Sequence, residues 1–326
     1  MRMNRRQFVE ASAAAAVLTA GLPHPVSSAE NNLPIVDTHQ HLWDLSKFQP
    51  PWLKGAPKVI TSSHDTGDYR QATKGLNVVK AVYMEIDVAP EQQVEEAKYV
   101  IEISASADYP TVAGVISGRP NSEQFASYIQ QFKSSPYIKG VRQVLQVDST
   151  PQGFCLQPQF VKSVQLLGEL GMSFDLCMRP MELSDGAKLA RQCPGTRFIV
   201  DHCGNADPKA FMPESARDAE PWHDVTTWKN DMATLAGCDN VVCKISGIVA
   251  RAPKDWKAEQ LAPIIDYCLD RFGPNRVMFG SDWPVCKLGA SYRDWVDGLK
   301  TVIGNRPIAD QRKLLHDNAV EFYGLA

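Results

Sequence analysis

The chain has 326 residues, 44% hydrophobic and 22% charged, which supplies enough apolar side chains for a globular core. A formal net charge of -3 excludes the basic footprint that nucleic-acid binding requires. The length admits one large domain or two smaller ones, and α/β barrels reach this size as a single domain.

In chain order, residues 1–29 have the make-up of an export signal. Asn4-Arg5-Arg6-Gln7-Phe8-Val9 is a twin-arginine pattern, residues 11–22 are apolar, and Ser27-Ser28-Ala29 offers a small-residue exit. The apolar run is shorter than the roughly 20 residues a membrane helix needs. Cleavage is therefore expected after Ala29, leaving a mature domain of residues 30–326 with no membrane span, in a periplasm or outside the cell. That compartment permits disulfides, yet the eight cysteines (Cys155, Cys177, Cys193, Cys203, Cys238, Cys243, Cys268 and Cys286) include no CxxC pair, and several lie in apolar runs. Buried free thiols are the expectation.

Short apolar runs rich in β-branched residues recur at 35–41, 78–86, 112–117, 138–146, 172–178, 198–203, 241–246 and 276–280. Several are apolar almost throughout, as strands covered on both faces of a parallel sheet are. Helical patterns lie between them. Pro90-Glu91 opens an acidic first turn, 158–170 carries Phe160, Val164 and Leu167 on one stripe, and 258–272 carries Leu261, Ile264, Ile265, Cys268 and Leu269 before Gly273-Pro274 stops it. Eight strands alternating with helices in about 300 residues predict a single (β/α)8 TIM-type barrel rather than an open doubly wound sheet. The long segments 43–68 and 205–225 should lie over the strand C-termini, where such a barrel keeps its site.

Three stretches carry chemistry. Val36-Asp37-Thr38-His39-Gln40-His41 ends the first strand, and the period of two sends His39 and His41 to the same side. Two imidazoles converging there suit a divalent metal or a proton relay. Phe198-Ile199-Val200-Asp201-His202-Cys203-Gly204 puts His202 where an apolar strand breaks into a turn. Val277-Met278-Phe279-Gly280-Ser281-Asp282-Trp283-Pro284 puts Asp282 at the mouth of the last strand. Alone, an HxH pair is a weak signal, the histidine reads equally as core, and the aspartate reads as a turn cap. Together they converge on one rim. Glu85, ending the second strand, and Arg142, near the end of the fourth, are candidates to hold substrate, and Arg179 is a weaker one.

His39-Gln40-His41, Asp201-His202-Cys203-Gly204 and Gly280-Ser281-Asp282-Trp283-Pro284, in that order, resemble the amidohydrolase superfamily. The subgroup is the amidohydrolase-related one, which includes sugar-acid lactonases and the pyrone dicarboxylate lactonase. Lys139-Gly140-Val141-Arg142-Gln143-Val144-Leu145-Gln146 and Gly171-Met172-Ser173-Phe174-Asp175-Leu176 are similar to its fuconolactonase and rhamnonolactonase branch. The likeness spans residues 33–326. It implies a hydrolase that opens a sugar-acid lactone or similar cyclic ester, with Asp282, His202, His39 and His41 catalytic. Binuclear members use a Lys or Glu after the fourth strand and a His after the fifth; here Arg142-Gln143 and Asp175 to Arg179 stand instead, which argues against two metals. One divalent ion, zinc by its donors, on His39, His41, His202 and Asp282, and a metal-independent site are both left open, with the export route tilting toward one ion. A metal-dependent non-oxidative decarboxylase of the same subgroup is the alternative reaction, and a non-catalytic periplasmic binding protein the alternative class. The resemblance also leaves homo-oligomerisation open.

Overall fold

The computed structural model describes residues 32–325, so the export signal expected at 1–29 lies outside the described residues. From Leu33 onward the chain forms one compact unit. Eight parallel strands follow one another in order: β1 (Ile35–Gln40), β2 (Val78–Met84), β3 (Thr111–Ser117), β4 (Ile138–Val144), β5 (Ser173–Cys177), β6 (Arg197–Val200), β7 (Val241–Ile245) and β8 (Val277–Phe279). Each lies within or overlaps an apolar run read from the sequence.

The helices between them are α1 (Thr66–Thr73), α2 (Gln93–Ala105), α3 (Phe125–Gln130), α4 (Pro158–Glu169), α5 (Leu183–Gln192), the distorted turn α6 (His202–Asn205), α7 (Val225–Ala236), α8 (Ala258–Phe272) and α9 (Tyr292–Ile303). Two shorter helices, α10 (Ile308–Arg312) and α11 (Asn318–Tyr323), end the chain. The stripe on α4 buries Phe160, Val164 and Leu167, and α8 buries Leu261, Ile264, Ile265, Cys268 and Leu269, as their spacing requires.

The sheet curls until β8 meets β1. The Thr38 hydroxyl donates to Phe279 O at 2.6 Å, Asp282 N to His39 O at 2.9 Å and His41 N to Trp283 O at 2.8 Å. Closure of this kind leaves no open edge. Strand alternation then sorts the core. Ala81, Tyr83, Phe174, Leu176, Cys243 and Ile245 pack outward under the helices, while Val36, Val82, Met84, Val115, Ile199 and Met278 form a second, inner cluster with Tyr323 of α11. All eight cysteines are buried and free, as expected from their apolar settings. Among the described residues no helix is long and apolar enough to cross a membrane.

Candidate active site

β1 does not keep a strict period of two. Its pairing with β2 shifts between Asp37 and Gln40, and across that irregularity the alternation slips. Asp37 faces outward, where its carboxylate accepts from the hydroxyls of Tyr69 on α1 (2.8 Å) and Tyr292 on α9 (3.2 Å), and from Ser281 N (2.8 Å) and Oγ (2.6 Å). It also accepts from His39 N at 3.1 Å. A period of two would have put Asp37 and His39 on one side. The slip turns His39 inward, and the buried carboxylate clamps the His39 backbone to Ser281, next to Asp282.

At the C-terminal ends of the strands the predicted residues meet. The His39 and His41 rings lie 5.0 Å apart and those of His39 and His202 4.5 Å apart, centre to centre. Asp282 Oδ1 stands 3.3 Å from His41 Nε2 and 3.7 Å from His39 Nε2. His41 Nδ1 donates to Met84 O at 2.9 Å, which fixes its tautomer and leaves Nε2 facing the carboxylate. A bare nitrogen lone pair against a carboxylate is repulsive, so a proton or a metal cation belongs between them. The donors fit a divalent ion: His39, His41 and Asp282 each bring one ligand atom, all within 4.8 Å of one another. His39, Asp201 and His202 form a second such group.

His202 and Asp282 both adopt left-handed backbone, with φ of 53° and 58°. Residues with a Cβ hold that conformation only where the surroundings enforce it. Gly247 makes room for one of them: a Cβ there would meet His202 Nδ1 at 2.3 Å, and its own φ is 68°. His202 Nδ1 pairs with Ser246 Oγ at 2.9 Å.

Arg142 reaches the same centre. Its Nη1 lies 3.2 Å from His39 Nε2 and 3.5 Å from Asp201, while Nε donates to Glu85 Oε1 at 2.6 Å and Nη2 to Glu85 O at 2.9 Å. Any ion taken by His39 Nε2 must therefore displace the Arg142 hydrogen bond. Glu85, expected to meet substrate, is fully buried beneath Arg142; its other oxygen accepts from Asp87 N at 2.6 Å. Both oxygens are occupied, so its contact is with Arg142, not with the cavity. Arg179, the other expected substrate contact, is spent on Val147 O, Thr150 O (2.7 Å each) and Glu182 (2.6 Å), and is not among the residues lining the cavity. It fastens the loop after β4.

Sequence reasoning missed Lys244. It is wholly buried on β7, with Nζ 2.6 Å from Asp175, 3.4 Å from Asp201 and 3.5 Å from His39 Nδ1. Its signal was present, a lysine in the apolar run Val241-Val242-Cys243-Lys244-Ile245, because a charge enters such a run only where partners await it.

Burial opposes every charge here, and the neighbours decide which survive. Burial alone would lower Lys244, but Asp175 and Asp201 outweigh it and hold the ammonium charged. Burial lowers His39 well below the usual histidine range, against the pull of Asp201, and lowers His202 against Asp282 and Asp201. For Asp282 burial raises, but His202, His41 and His39 overcome it and bring the carboxyl to about 2. The site thus presents an ionised Asp282 carboxylate beside the neutral imidazoles of His39 and His202.

These groups open onto a cavity of about 310 Å³ lined by His41, Trp52, Arg142, His202, Arg251 and Asp282 among others. That volume is at the lower end of the roughly 300–1,000 Å³ typical of small-molecule sites. A larger, shallower groove of about 810 Å³ beside Trp283 and Tyr292 holds His64 and Asp68 but none of the converging cluster. The chemistry is in the smaller cavity. Trp52, from the long segment after β1, and Asn205, from the one after β6, line it as their positions predicted.

Comparison with known proteins identifies the family. The chain is 27% identical over 288 residues to an L-fucono-1,5-lactonase of Burkholderia multivorans, covering 86% of this chain and 92% of that one. It is 24% identical over 344 residues to an L-rhamnono-gamma-lactonase of Scheffersomyces stipitis, covering 89% and 98%. Its fold superposes on an amidohydrolase from Burkholderia multivorans solved with bound zinc, with a TM-score of 0.77 at 22% identity, covering 90% of this chain and all of that one. The amidohydrolase family model matches residues 36–325, nearly the whole barrel, and the chain is a member of that family.

Proposed function

We propose that the protein hydrolyses a lactone of a sugar acid, or a similar cyclic ester, with Asp282 as the base. The observation that carries this reading is the ionised Asp282 carboxylate 3.3 Å from His41 Nε2 at the floor of a monosaccharide-sized cavity. The relatives bearing the names L-fucono-1,5-lactonase and L-rhamnono-gamma-lactonase support the substrate class.

Water bound beside Asp282 gives it a proton as its oxygen attacks the lactone carbonyl carbon. The oxyanion that forms is met by the Arg142 guanidinium and by His202, both already oriented by protein partners, so little reorganisation is needed. When the ring C–O bond breaks, the departing alkoxide takes the proton held on Asp282, giving the open hydroxy acid and restoring the carboxylate. His39, His41 and Asp282, with His202 beside them, would hold one divalent ion of the zinc type. Such an ion, when bound, lowers the pKa of water and polarises a carbonyl. The twin-arginine pattern supports export of the folded, loaded protein to the periplasm or beyond.

Replacement of Asp282 by Asn tests the assignment. Lactone turnover, followed by proton release, should fall by about 10²- to 10⁴-fold, the range general acid–base groups supply. The thermal midpoint should stay close to that of the parent. Near-parental turnover in D282N would remove the mechanism. Elemental analysis of the parent and the variant should find close to one zinc per chain in the first and much less in the second.

A further inference from the structure

We infer that Asp201 fixes the single proton of His39 on Nδ1, and that Lys244 and Arg142 hold the carboxylate where it does so. The consequence for turnover rests on the lactonase reading; the position of the proton does not.

The His39 ring is wholly buried, and both of its nitrogens face charged groups. Nδ1 lies 3.5 Å from Asp201 Oδ1 and 3.5 Å from Lys244 Nζ. Nε2 lies 3.2 Å from Arg142 Nη1 and 3.7 Å from Asp282 Oδ1. With a cation beside each nitrogen, the ring is neutral and carries one proton.

Geometry decides which nitrogen has it. A guanidinium offers N–H groups and accepts nothing. Arg142 Nη1, at hydrogen-bond distance, therefore needs the lone pair on Nε2, while Asp282 at 3.7 Å is too far to receive a proton from that atom. The proton is left to Nδ1, where the Lys244 ammonium cannot accept it and the Asp201 carboxylate can. Asp201 Oδ1 is buried and takes a hydrogen bond from no other described group, a costly state that the imidazole N–H relieves. Lys244 Nζ stands 3.4 Å from Oδ1, itself anchored to Asp175 at 2.6 Å, and Arg142 Nη1 stands 3.5 Å from Oδ2. Cations at both oxygens set the plane of the carboxylate.

The lone pair kept on Nε2 accepts from Arg142 and so orients the guanidinium that meets the oxyanion. It is also what a divalent ion would take, since a ligating histidine commonly gives its other N–H to a carboxylate. A proton on Nε2 would instead set two N–H groups against each other across 3.2 Å and push Arg142 out of place. Asp201 acts through His39, which makes it a positioning residue.

In protein carrying isotope-labelled histidine, two-bond nitrogen–proton correlations tell the two neutral forms apart, and H39N identifies the His39 signals by their loss. The parent should show His39 protonated on Nδ1. In D201N the amide can turn its NH2 toward Nδ1, so the proton should move to Nε2. There kcat on a lactone should fall by about 10²- to 10⁴-fold with KM little changed, as a wrong tautomer entails. A parent with the proton on Nε2 overturns the proposal, and that measurement decides even where D201N does not fold. A folded D201N that keeps Nδ1–H, or keeps the parental kcat, overturns it as well, since a purely structural aspartate would lower the thermal midpoint and leave the proton in place. A proton on Nδ1 that D201N moves, with no lactone turnover in the parent, sinks the lactonase reading alone. Parental turnover with the proton on Nε2 sinks this one alone.

Discussion

Protonation at single residues sets what the site can do at a given pH. Burial keeps His39 and His202 neutral below the usual histidine range, and Asp282 stays ionised down to about pH 2. The protonation state that the mechanism needs therefore persists when the pH falls through 6.5, where an exposed histidine would take up a proton. We expect kcat/KM on a lactone, corrected for spontaneous hydrolysis, to be as high at pH 6 as at pH 7.5. An acid limb centred near 6.5 would contradict it.

Glu96 on α2 shows the opposite sign. Burial, and Glu85 behind it, raise its carboxyl to about 8, against the hydrogen bonds from Ile86 N and the Tyr83 hydroxyl. Its folded value lies above its unfolded one, so the folded protein retains a proton that the unfolded chain releases. That stability is present in full below the unfolded value and is lost as the pH rises toward 8. The uncharged E96Q should flatten the decline of thermal midpoint between pH 6 and 9. An unchanged slope would show that Glu96 is ionised in the fold.

At the scale of elements, the site depends on how strands end. β8 is only Val277–Phe279, and the chain leaves it through Gly280-Ser281 into the left-handed Asp282, so the carboxylate turns over the barrel mouth instead of continuing along the strand. Ser281 is held by Asp37 of β1, which makes the two strand ends one hydrogen-bonded unit. The end of β7 serves His202 in the same way, through the open space at Gly247. A methyl group there meets the imidazole at 2.3 Å and must also adopt a φ of 68°. G247A should therefore displace His202 and lower kcat by about 10²-fold or more, since catalytic geometry shifted by about 1 Å costs that much. It should also destabilise by about 1–3 kcal/mol through strain. Normal kcat in a folded G247A protein would show that His202 has no part in turnover.

Across the whole molecule, the barrel interior is divided by depth. Val36, Val82, Met84, Val115, Ile199 and Met278 form an apolar base, and above them a buried ionic layer of Asp175, Lys244, Asp201 and Arg142 supports the histidines. Loss of one member strands the others. K244M leaves Asp175 and Asp201 without their ammonium partner and should cost roughly 3–5 kcal/mol in chemical denaturation. Removing both charges, in D175L/K244M, should recover a good part of that loss because the opposing desolvation disappears as well. A K244M protein as stable as the parent would mean that Lys244 and Asp175 do not form an ionised pair in the fold.

The sequence by itself determined the eight strands, their alternation with helices and the three motifs at strand ends, because backbone periodicity and turn residues are local properties. It also placed His39, His41, His202 and Asp282 at one rim, since in a parallel barrel every strand C-terminus faces the same way. Only the tertiary structure decided the rest. Asp37 turns outward and His39 inward through a slip in pairing with β2, which depends on the neighbouring strand and not on β1. Glu85 and Arg179 carry the right charge for substrate, but Arg142 had claimed the first and the carbonyls of Val147 and Thr150, with Glu182 nearby in the chain, the second. Lys244 stands out as a charge inside an apolar run, but only packing shows that Asp175 and Asp201 are the carboxylates that meet it. Which charges are neutralised is a property of contacts between residues far apart in the chain, and no local pattern encodes it.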